Sequence, residues 1–118
     1  MNVEELREYC LNKKGITEEF PFDEETLVFK VMGKIFALVP LERIPLQINL
    51  KCAPEKSVGL REKYDSIQPA YHMNKKHWNT VLIEGTFRSD FILGLIDHSY
   101  ELVVNKLSKK QKEELEKY

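Results

Sequence analysis

Two stretches of alternating side chains constrain this chain more than any other feature. Apolar residues take every second position from Thr26 to Val31 and again from Leu46 to Cys52. Because successive side chains of a β-strand point to opposite faces of a sheet, this period of two predicts half-buried strands. A third apolar run, Ile35 to Val39, follows the first after a tight reversal at residues 32–34, so residues 26–39 are predicted to form a β-hairpin.

Helical patterns flank these strands. Four helices are predicted, from Asn2 to Gly15, from Pro54 to Tyr64, from Ser89 to Lys106, and from Ser108 into the charged tail. Each begins with a residue type favoured at a helix N-terminus, and the third carries one continuous apolar stripe. In the second helix, Val58 and either Leu60 or Arg61 are expected to face inward.

The segments between these elements are predicted mainly as loops. Residues 16–25 contain the sequence Phe20-Pro21-Phe22, which is too apolar for an idle linker and is expected to fill one edge of the core. Residues 65–69 should interrupt the chain after the second helix. Residues 70–79 are ambiguous between extended chain and a turn, and the β-branched run from Thr80 to Glu84 predicts a further strand.

Elements in this order favour an α+β fold with one mostly antiparallel sheet packed against helices, because no repeated strand-helix units are present. A chain of 118 residues has the common size of a single domain, and we expect one domain over residues 1–118. The content of 42% hydrophobic and 31% charged residues is typical of a globular protein rather than a disordered one.

Localisation follows from the same composition. The longest apolar runs are far shorter than the roughly 20 residues that cross a bilayer. The acidic start, Asn2 to Glu8, does not resemble a secretory signal, so a cytoplasmic protein is expected. Cys10 and Cys52 lie in different predicted elements and are expected to be reduced, semi-buried residues.

Charge is unevenly distributed although the net charge is only −1. Residues 1–25 carry eight acidic and three basic side chains, whereas residues 26–88 carry ten basic and five acidic ones. Such a dipolar distribution can steer an anionic partner toward the basic middle of the chain. It is weaker than the strongly basic balance of a dedicated nucleic-acid domain.

The segment 71–78 concentrates cations and aromatic rings. Its members are Tyr71, His72, Lys75, Lys76, His77 and Trp78. Lysines can neutralise phosphates while aromatic rings stack on exposed bases, although the same chemistry fits an acidic protein partner. Alternatively, Trp78 anchors a strand in the core and the lysines only keep a turn soluble.

Four further basic residues can extend this surface. Lys51 ends a predicted strand, and Lys56, Arg61 and Lys63 follow on the next helix. Lys56 and Lys63 are two helical turns apart and share a face. Arg61 either joins the basic surface or pairs internally with Asp65 or with the neighbours of Glu62.

Other chemistries find little support. His72, His77 and His98 lack a familiar zinc spacing, and no third group accompanies Cys52 as a nucleophile. The glycines are scattered and form no phosphate-binding loop, so no metal, no cofactor and no enzymatic activity is expected. The acidic run of residues 23–25 is either a docking patch or simply solvated.

Three longer segments resemble a known family. They are EFPFDEETLVFKVMGKIFAL, NLKCAPEKSVGLREKYDSIQPAYHMNKKHWNTV and SYELVVNKL. Together they resemble the MmcQ/YjbR family of small bacterial proteins over nearly the whole chain. The resemblance implies a compact α+β domain, similar in shape to frataxin-like and secretion-chaperone-like domains, and it implies DNA binding through a proposed double-wing arrangement.

The leading hypothesis is therefore a non-enzymatic module that binds DNA weakly through its phosphate backbone. The candidate contact residues are Lys51, Arg61, Tyr71, Lys75, Lys76, His77 and Trp78. The rival hypothesis is an adaptor-like or chaperone-like domain that binds a protein through the sheet face or through residues 20–22. A small-molecule role would require a deep pocket with a shifted ionisable group.

Overall fold

The computed structural model describes residues 1–83, 85 and 87–118 of the chain. Four helices lie within these residues: α1 (Val3–Leu11), α2 (Pro54–Lys63), α3 (Ser89–Asn105) and α4 (Lys109–Leu115). The same residues contain six strands: β1 (Ile16–Glu19), β2 (Thr26–Val31), β3 (Lys34–Pro40), β4 (Gln47–Lys51), β5 (Ile67–Pro69) and β6 (Trp78–Leu82). The predicted α+β fold is confirmed.

The six strands form one antiparallel sheet in the order β1-β2-β3-β4-β6-β5. One face of this sheet, called here the helix face, packs against the helices and forms the main core. Core side chains from both layers include Phe29, Phe36, Ile48, Val81, Leu6, Ile92, Ile96 and Leu115. Burial of this apolar surface supplies the main stabilisation of the fold.

The opposite face, called here the open face, is partly apolar as well. Val28 and Leu38 are register partners across β2 and β3, and they are only 0% and 6% exposed although they lie outside the main core cluster. Simple alternation predicted a solvated face at Val28. The burial of this pair shows that neighbouring residues on the open face shield these two positions from most of the solvent.

The hairpin formed by β2 and β3 has the predicted position. Met32 and Gly33 both have positive φ angles, 49° and 82°, which is the backbone of a two-residue type I′ turn. The second strand consequently begins at Lys34, one residue earlier than expected. The alternating strand predicted from Leu46 to Cys52 is likewise present as β4.

Two segments predicted as loops are strands. Residues 16–19 pair with β2 as the edge strand β1, and residues 67–69 pair with β6 as β5. Neither has strong β propensity, since β1 contains two glutamates and β5 contains a proline. Pairing with a neighbour overrides that weak preference, and charges or proline are typical of sheet edges.

Side-chain capping marks the start of α1 and of α4. Asn2 and Ser108 each form a capping box, with Glu5 and Gln111 respectively. Ser89 is the first residue of α3 rather than its cap, because the N-cap position belongs to Arg88.

Strand β6 begins and ends two residues earlier than predicted. The last residue of the predicted strand, Glu84, lies outside the described residues.

Two predictions of burial were wrong. Val58 of α2 is 56% exposed, and the helix instead buries Ser57. Phe20 and Phe22 are 49% and 67% exposed and do not fill an edge of the core. In both cases side-chain apolarity suggested burial, whereas the neighbouring elements leave these positions at the surface.

Cys10 and Cys52 are unpaired, in agreement with their prediction as reduced residues, but they are buried, at 0% and 4% exposed, rather than semi-buried. Burial raises the pKa of the Cys10 thiol to about 12, so it stays protonated and unreactive at neutral pH.

Across the described part of the chain, every helix is too short or too polar to cross a lipid bilayer.

Helix α3 is fastened to the sheet by Ser99, which is 0% exposed. Its Oγ donates a hydrogen bond to the carbonyl oxygen of Phe36 at 2.6 Å and accepts one from the N–H of Lys51 at 2.9 Å. Phe36 lies on β3 and Lys51 on β4, so the hydroxyl bridges two neighbouring strands. The buried backbone groups at this joint depend on one helix side chain.

Replacing Ser99 with alanine should therefore destabilise the fold. The S99A variant leaves a buried donor and a buried acceptor without their partner, and we expect a loss of about 1–3 kcal/mol in the free energy of unfolding. Urea denaturation measures this loss. The exposed serine at the start of the same helix provides the control, because S89A should change stability by less than about 0.5 kcal/mol. Equal effects in both variants would contradict the bridging role.

Candidate functional site

The basic and aromatic segment forms a closed loop, residues 70–77, which we call the basic loop. Its two ends meet where the N–H of Ala70 donates to the carbonyl oxygen of Trp78 at 3.0 Å. Inside the loop, the carbonyl oxygen of Asn74 accepts from the N–H groups of His77 and Trp78, at 3.1 and 2.9 Å. Its side-chain Oδ1 accepts from the N–H of Lys76 at 3.0 Å. Asn74 thus fixes the turn that carries both lysines.

Arg61 of α2 holds the basic loop through hydrogen bonds to its backbone and to β6. Its Nε donates to Oδ1 of Asn79 at 2.7 Å, and its Nη2 donates to the carbonyl oxygens of Lys75 and Trp78. Charge-assisted bonds of this kind are stronger than bonds between neutral groups. The guanidinium is therefore turned into the protein, as the internal alternative predicted, but its partners are an amide and two backbone carbonyls rather than Asp65 or the neighbours of Glu62.

Asn79 links this support to the interior. It is 2% exposed, and its Nδ2 donates to Oγ of Ser57 at 3.2 Å while its Oδ1 accepts from Arg61. Ser57 is also buried, on the first turns of α2. The hydrogen-bonded series Ser57–Asn79–Arg61 therefore joins α2, β6 and the basic loop through two buried polar side chains and one half-buried guanidinium, an arrangement that makes local geometry specific.

Removing the guanidinium should loosen the basic loop. In R61M the acceptors on Asn79, Lys75 and Trp78 lose their donor, and we expect the free energy of unfolding to fall by about 1–3 kcal/mol. Amide hydrogen exchange should accelerate most in residues 70–78. Urea denaturation and exchange measured by NMR check both effects.

The control for this variant lies on the same helix. Lys63 is exposed, and K63M should leave the exchange of the basic loop unchanged. If R61M and K63M show the same exchange pattern in residues 70–78, Arg61 does not support the loop.

The lysines of the basic loop are exposed, and one of them lies against an aromatic ring. Nζ of Lys75 is 5.1 Å from the ring centroid of Tyr71, and Tyr71 is 65% exposed. A cation at this distance is attracted to the ring face, which restrains both side chains. Lys76 is exposed beside them. The structure thus brings together three of the predicted contact residues.

Lys51 and Trp78 form a second pair. They are register partners across β4 and β6, so their side chains lie on the same, open face. Trp78 is half-buried and lies outside the main core cluster, which differs from its expected alternative role as a core anchor. Burial, together with the charge of Lys106, lowers the pKa of the Lys51 ammonium. His77 is half-buried next to this pair, and its carbonyl oxygen accepts from the N–H of Cys52 at 2.8 Å.

The remaining basic residues of α2 do not join this cluster. Lys63 lies over the ring of Tyr64 at 5.3 Å, and Lys56 lies near His98. Nε2 of His98 accepts a hydrogen bond from the N–H of Ala53 at 3.2 Å, just before α2 begins. Burial and the charge of Lys56 lower the pKa of His98, which keeps the imidazole neutral for this role. Among the described residues, no three histidine, cysteine or acidic side chains are grouped as metal ligands.

A groove of about 510 Å³ opens on the open face beside the basic loop. Ala70, Tyr71, His72 and Met73 form one wall, and Phe22 and Asp23 form the other. The floor comes from β2, β3, β4 and β6, with Thr26, Gln47, Asn49 and Thr80 as its polar members. Tyr71 therefore belongs both to the basic loop and to this groove.

Sequence reasoning missed the groove and the role of Arg61. The polar face of β4 was visible as Gln47 and Asn49 alternating with leucine and isoleucine, but the sequence does not show which loops cover that face. The carbonyl partners of Arg61 are backbone groups of the basic loop, and no sequence pattern identifies them. The exposed Phe22 was noticed but assigned to the core.

Comparison with known proteins supplies the family. A family model described as YjbR matches residues 11–102. The chain is 32% identical to Escherichia coli K12 YjbR over 112 residues, which is 95% of either chain. It is 45% identical to YbdF of Escherichia coli O157:H7 over 92 residues, or 77% of this chain and 75% of the relative.

The chain belongs to the YjbR family. The resemblance predicted from its sequence is thereby confirmed. Both of these relatives are described as uncharacterized proteins, so membership of the family supplies a fold rather than a biochemical role.

Solved structures agree with this assignment. The crystal structure of Deinococcus radiodurans protein DR2400, with a DUF419 family-model domain, has a TM-score of 0.90 and 42% identity to this chain. The match covers 97% of this chain and 87% of that one. A crystal structure of a Pseudomonas syringae protein has a TM-score of 0.73 at 34% identity and covers 86% of this chain and 98% of the other. The α+β fold described above therefore matches a solved structure that carries this family's domain.

Proposed function

We propose that this YjbR-family protein is a non-enzymatic module that binds DNA weakly, mainly through the phosphate backbone and without strict sequence choice. The observation that carries the proposal is the basic loop, which presents two exposed lysines and an exposed tyrosine on a backbone held by Arg61 and Asn74. A surface ordered in advance loses less conformational entropy on binding. A cytoplasmic location is part of the proposal, since the unpaired Cys10 and Cys52 suit a reducing compartment.

In this proposal Lys51, Lys75 and Lys76 neutralise phosphates, and Tyr71, His77 and Trp78 lie beside the strand. Lysines that contact phosphates release condensed counterions, which gives most of the affinity in sequence-independent binding. Lys51 also experiences the like charge of Lys106, and an anion between them would relieve that repulsion. Arg61 acts as a positioning residue because its donors already bond to the loop.

Salt dependence and charge reversal test the phosphate contacts. Fluorescence anisotropy of a short labelled duplex should show binding at low salt. For each phosphate contacted, log K should fall by about 0.9 when the salt concentration rises tenfold. Three lysines therefore predict a slope of about −3. The double variant K75E/K76E should lower affinity at low salt by about tenfold or more and make the slope shallower by about 2.

A matched lysine pair on α4 provides the control. K109E/K110E makes the same charge change at exposed positions remote from the basic loop in sequence, and it should reduce binding much less. Equal losses in the two double variants would indicate a general charge effect. No binding to duplex or single strand at low salt would contradict the proposed function outright.

A specific observation favours the rival function, protein binding. Phe20, Phe22, Leu41 and Ile44 are large apolar side chains that remain exposed, and Ile44 is 97% exposed. Their two loops are joined where the N–H of Leu41 donates to the carbonyl oxygen of Glu25 at 2.7 Å. Exposed apolar groups close together often mark protein interfaces. Under this rival hypothesis the F22S variant loses its protein partner and the K75E/K76E variant keeps it. The protein should then show no binding of nucleic acid.

A further inference from the structure

The groove on the open face has the volume and the lining of a site for a small ligand. Its volume of about 510 Å³ falls within the roughly 300–1,000 Å³ typical of small-ligand sites. Ile35, Leu38, Pro40 and Met73 give it apolar surface, and Phe22 and Tyr71 place aromatic rings on its two walls. Both rings are exposed, at 67% and 65%, so a face of each is available to a ligand.

The floor of the groove carries hydrogen-bonding groups that the protein leaves available. Oγ1 of Thr80 donates to Oδ1 of Asn49 at 2.7 Å, which orients the Asn49 amide and leaves its two N–H donors for another acceptor. Gln47 lies two residues away on the same face of β4, and among the described contacts its side-chain amide has no protein partner. Paired amide donors and acceptors match the edges of nucleobases.

Charge distinguishes the two ends of the groove. Lys75 lies over Tyr71 at one wall, whereas Glu25 and Glu42 lie close enough beyond the other wall to raise the pKa of Glu25 by mutual repulsion. Asp23, at that second wall, uses its carboxylate to accept from the N–H groups of Glu25 and Thr26 at 2.9 and 2.7 Å. Arg43 also lines the groove and follows Glu42 in sequence, but the three carboxylates of Asp23, Glu25 and Glu42 outnumber this one cation. A ligand with an anionic group should therefore place it toward the basic loop.

We infer that the groove accepts one unpaired nucleobase of a single strand whose phosphates lie on the basic loop. The base stacks on Tyr71 or Phe22 and its edge bonds to the amides of Gln47 and Asn49. This inference rests on the proposed function and extends it, because it makes unpaired strands, rather than intact duplex, the preferred ligand. Base stacking on aromatic side chains is largely independent of sequence, so weak sequence choice is retained.

The test compares two strands that differ only in their bases. A short labelled thymidine strand and an abasic strand of the same length are titrated at the same low salt, with anisotropy as the readout. We expect the thymidine strand to bind about tenfold more tightly, which is the scale of one stacked base. Q47L removes an edge hydrogen bond but not the stacking, so it should reduce this difference only in part while leaving affinity for the abasic strand unchanged.

A second glutamine on the same face supplies the control. Gln68 lies opposite Thr80 in the β5–β6 register but is not part of the groove lining, so Q68L should preserve the preference for the thymidine strand. Equal affinity for both strands in the unmodified protein would overturn the groove inference and leave the phosphate contacts standing.

Failure of the proposed function gives a different pattern. If neither strand binds, thymidine monophosphate is titrated while the side-chain amide resonances of Gln47 and Asn49 are followed by NMR. Shifts confined to these amides would retain the groove as a nucleobase site in the absence of strand binding. Unchanged amide resonances would overturn the groove inference as well.

Discussion

The guanidinium of Arg61 is the interaction on which the functional surface depends. It joins α2 to the backbone of the basic loop and, through Asn79, to the buried Ser57. Because the half-buried guanidinium bonds to the carbonyl oxygens of Lys75 in the loop and of Trp78 at the start of β6, the loop keeps its two exposed lysines in a fixed position relative to β6.

The two sides of the groove on the open face differ in charge. Leu38, one of the two buried residues at the centre of that face, forms part of the groove floor together with the polar residues of β4. The groove lies between an edge with several carboxylates and the basic loop. Ser99 anchors the same region from the other side by bridging β3 and β4. The features that stabilise the sheet and those that shape the groove are therefore neighbours along β4.

Local signals predicted much of this fold. The alternation of β2 and β4, the two capping boxes and the glycine turn are short-range patterns, and they were recovered to within about two residues. Edge strands β1 and β5 were missed because only their neighbours make them strands. Part of the candidate site could be predicted, because the lysines and Tyr71 are identifiable in the sequence. The inward orientation of Arg61 and the groove between two loops could not, because they depend on contacts between distant segments.

The central claim is that nucleic acid meets this protein at the basic loop and β4. Ultraviolet crosslinking of a short thymidine strand, followed by mass spectrometry of the digested protein, locates that contact most directly. Aromatic side chains form such adducts, so the account predicts crosslinks on the peptide segment that contains Tyr71 and Trp78, lost at high salt. Crosslinks confined to α1 or to Tyr118, or crosslinks that persist at high salt, would contradict it.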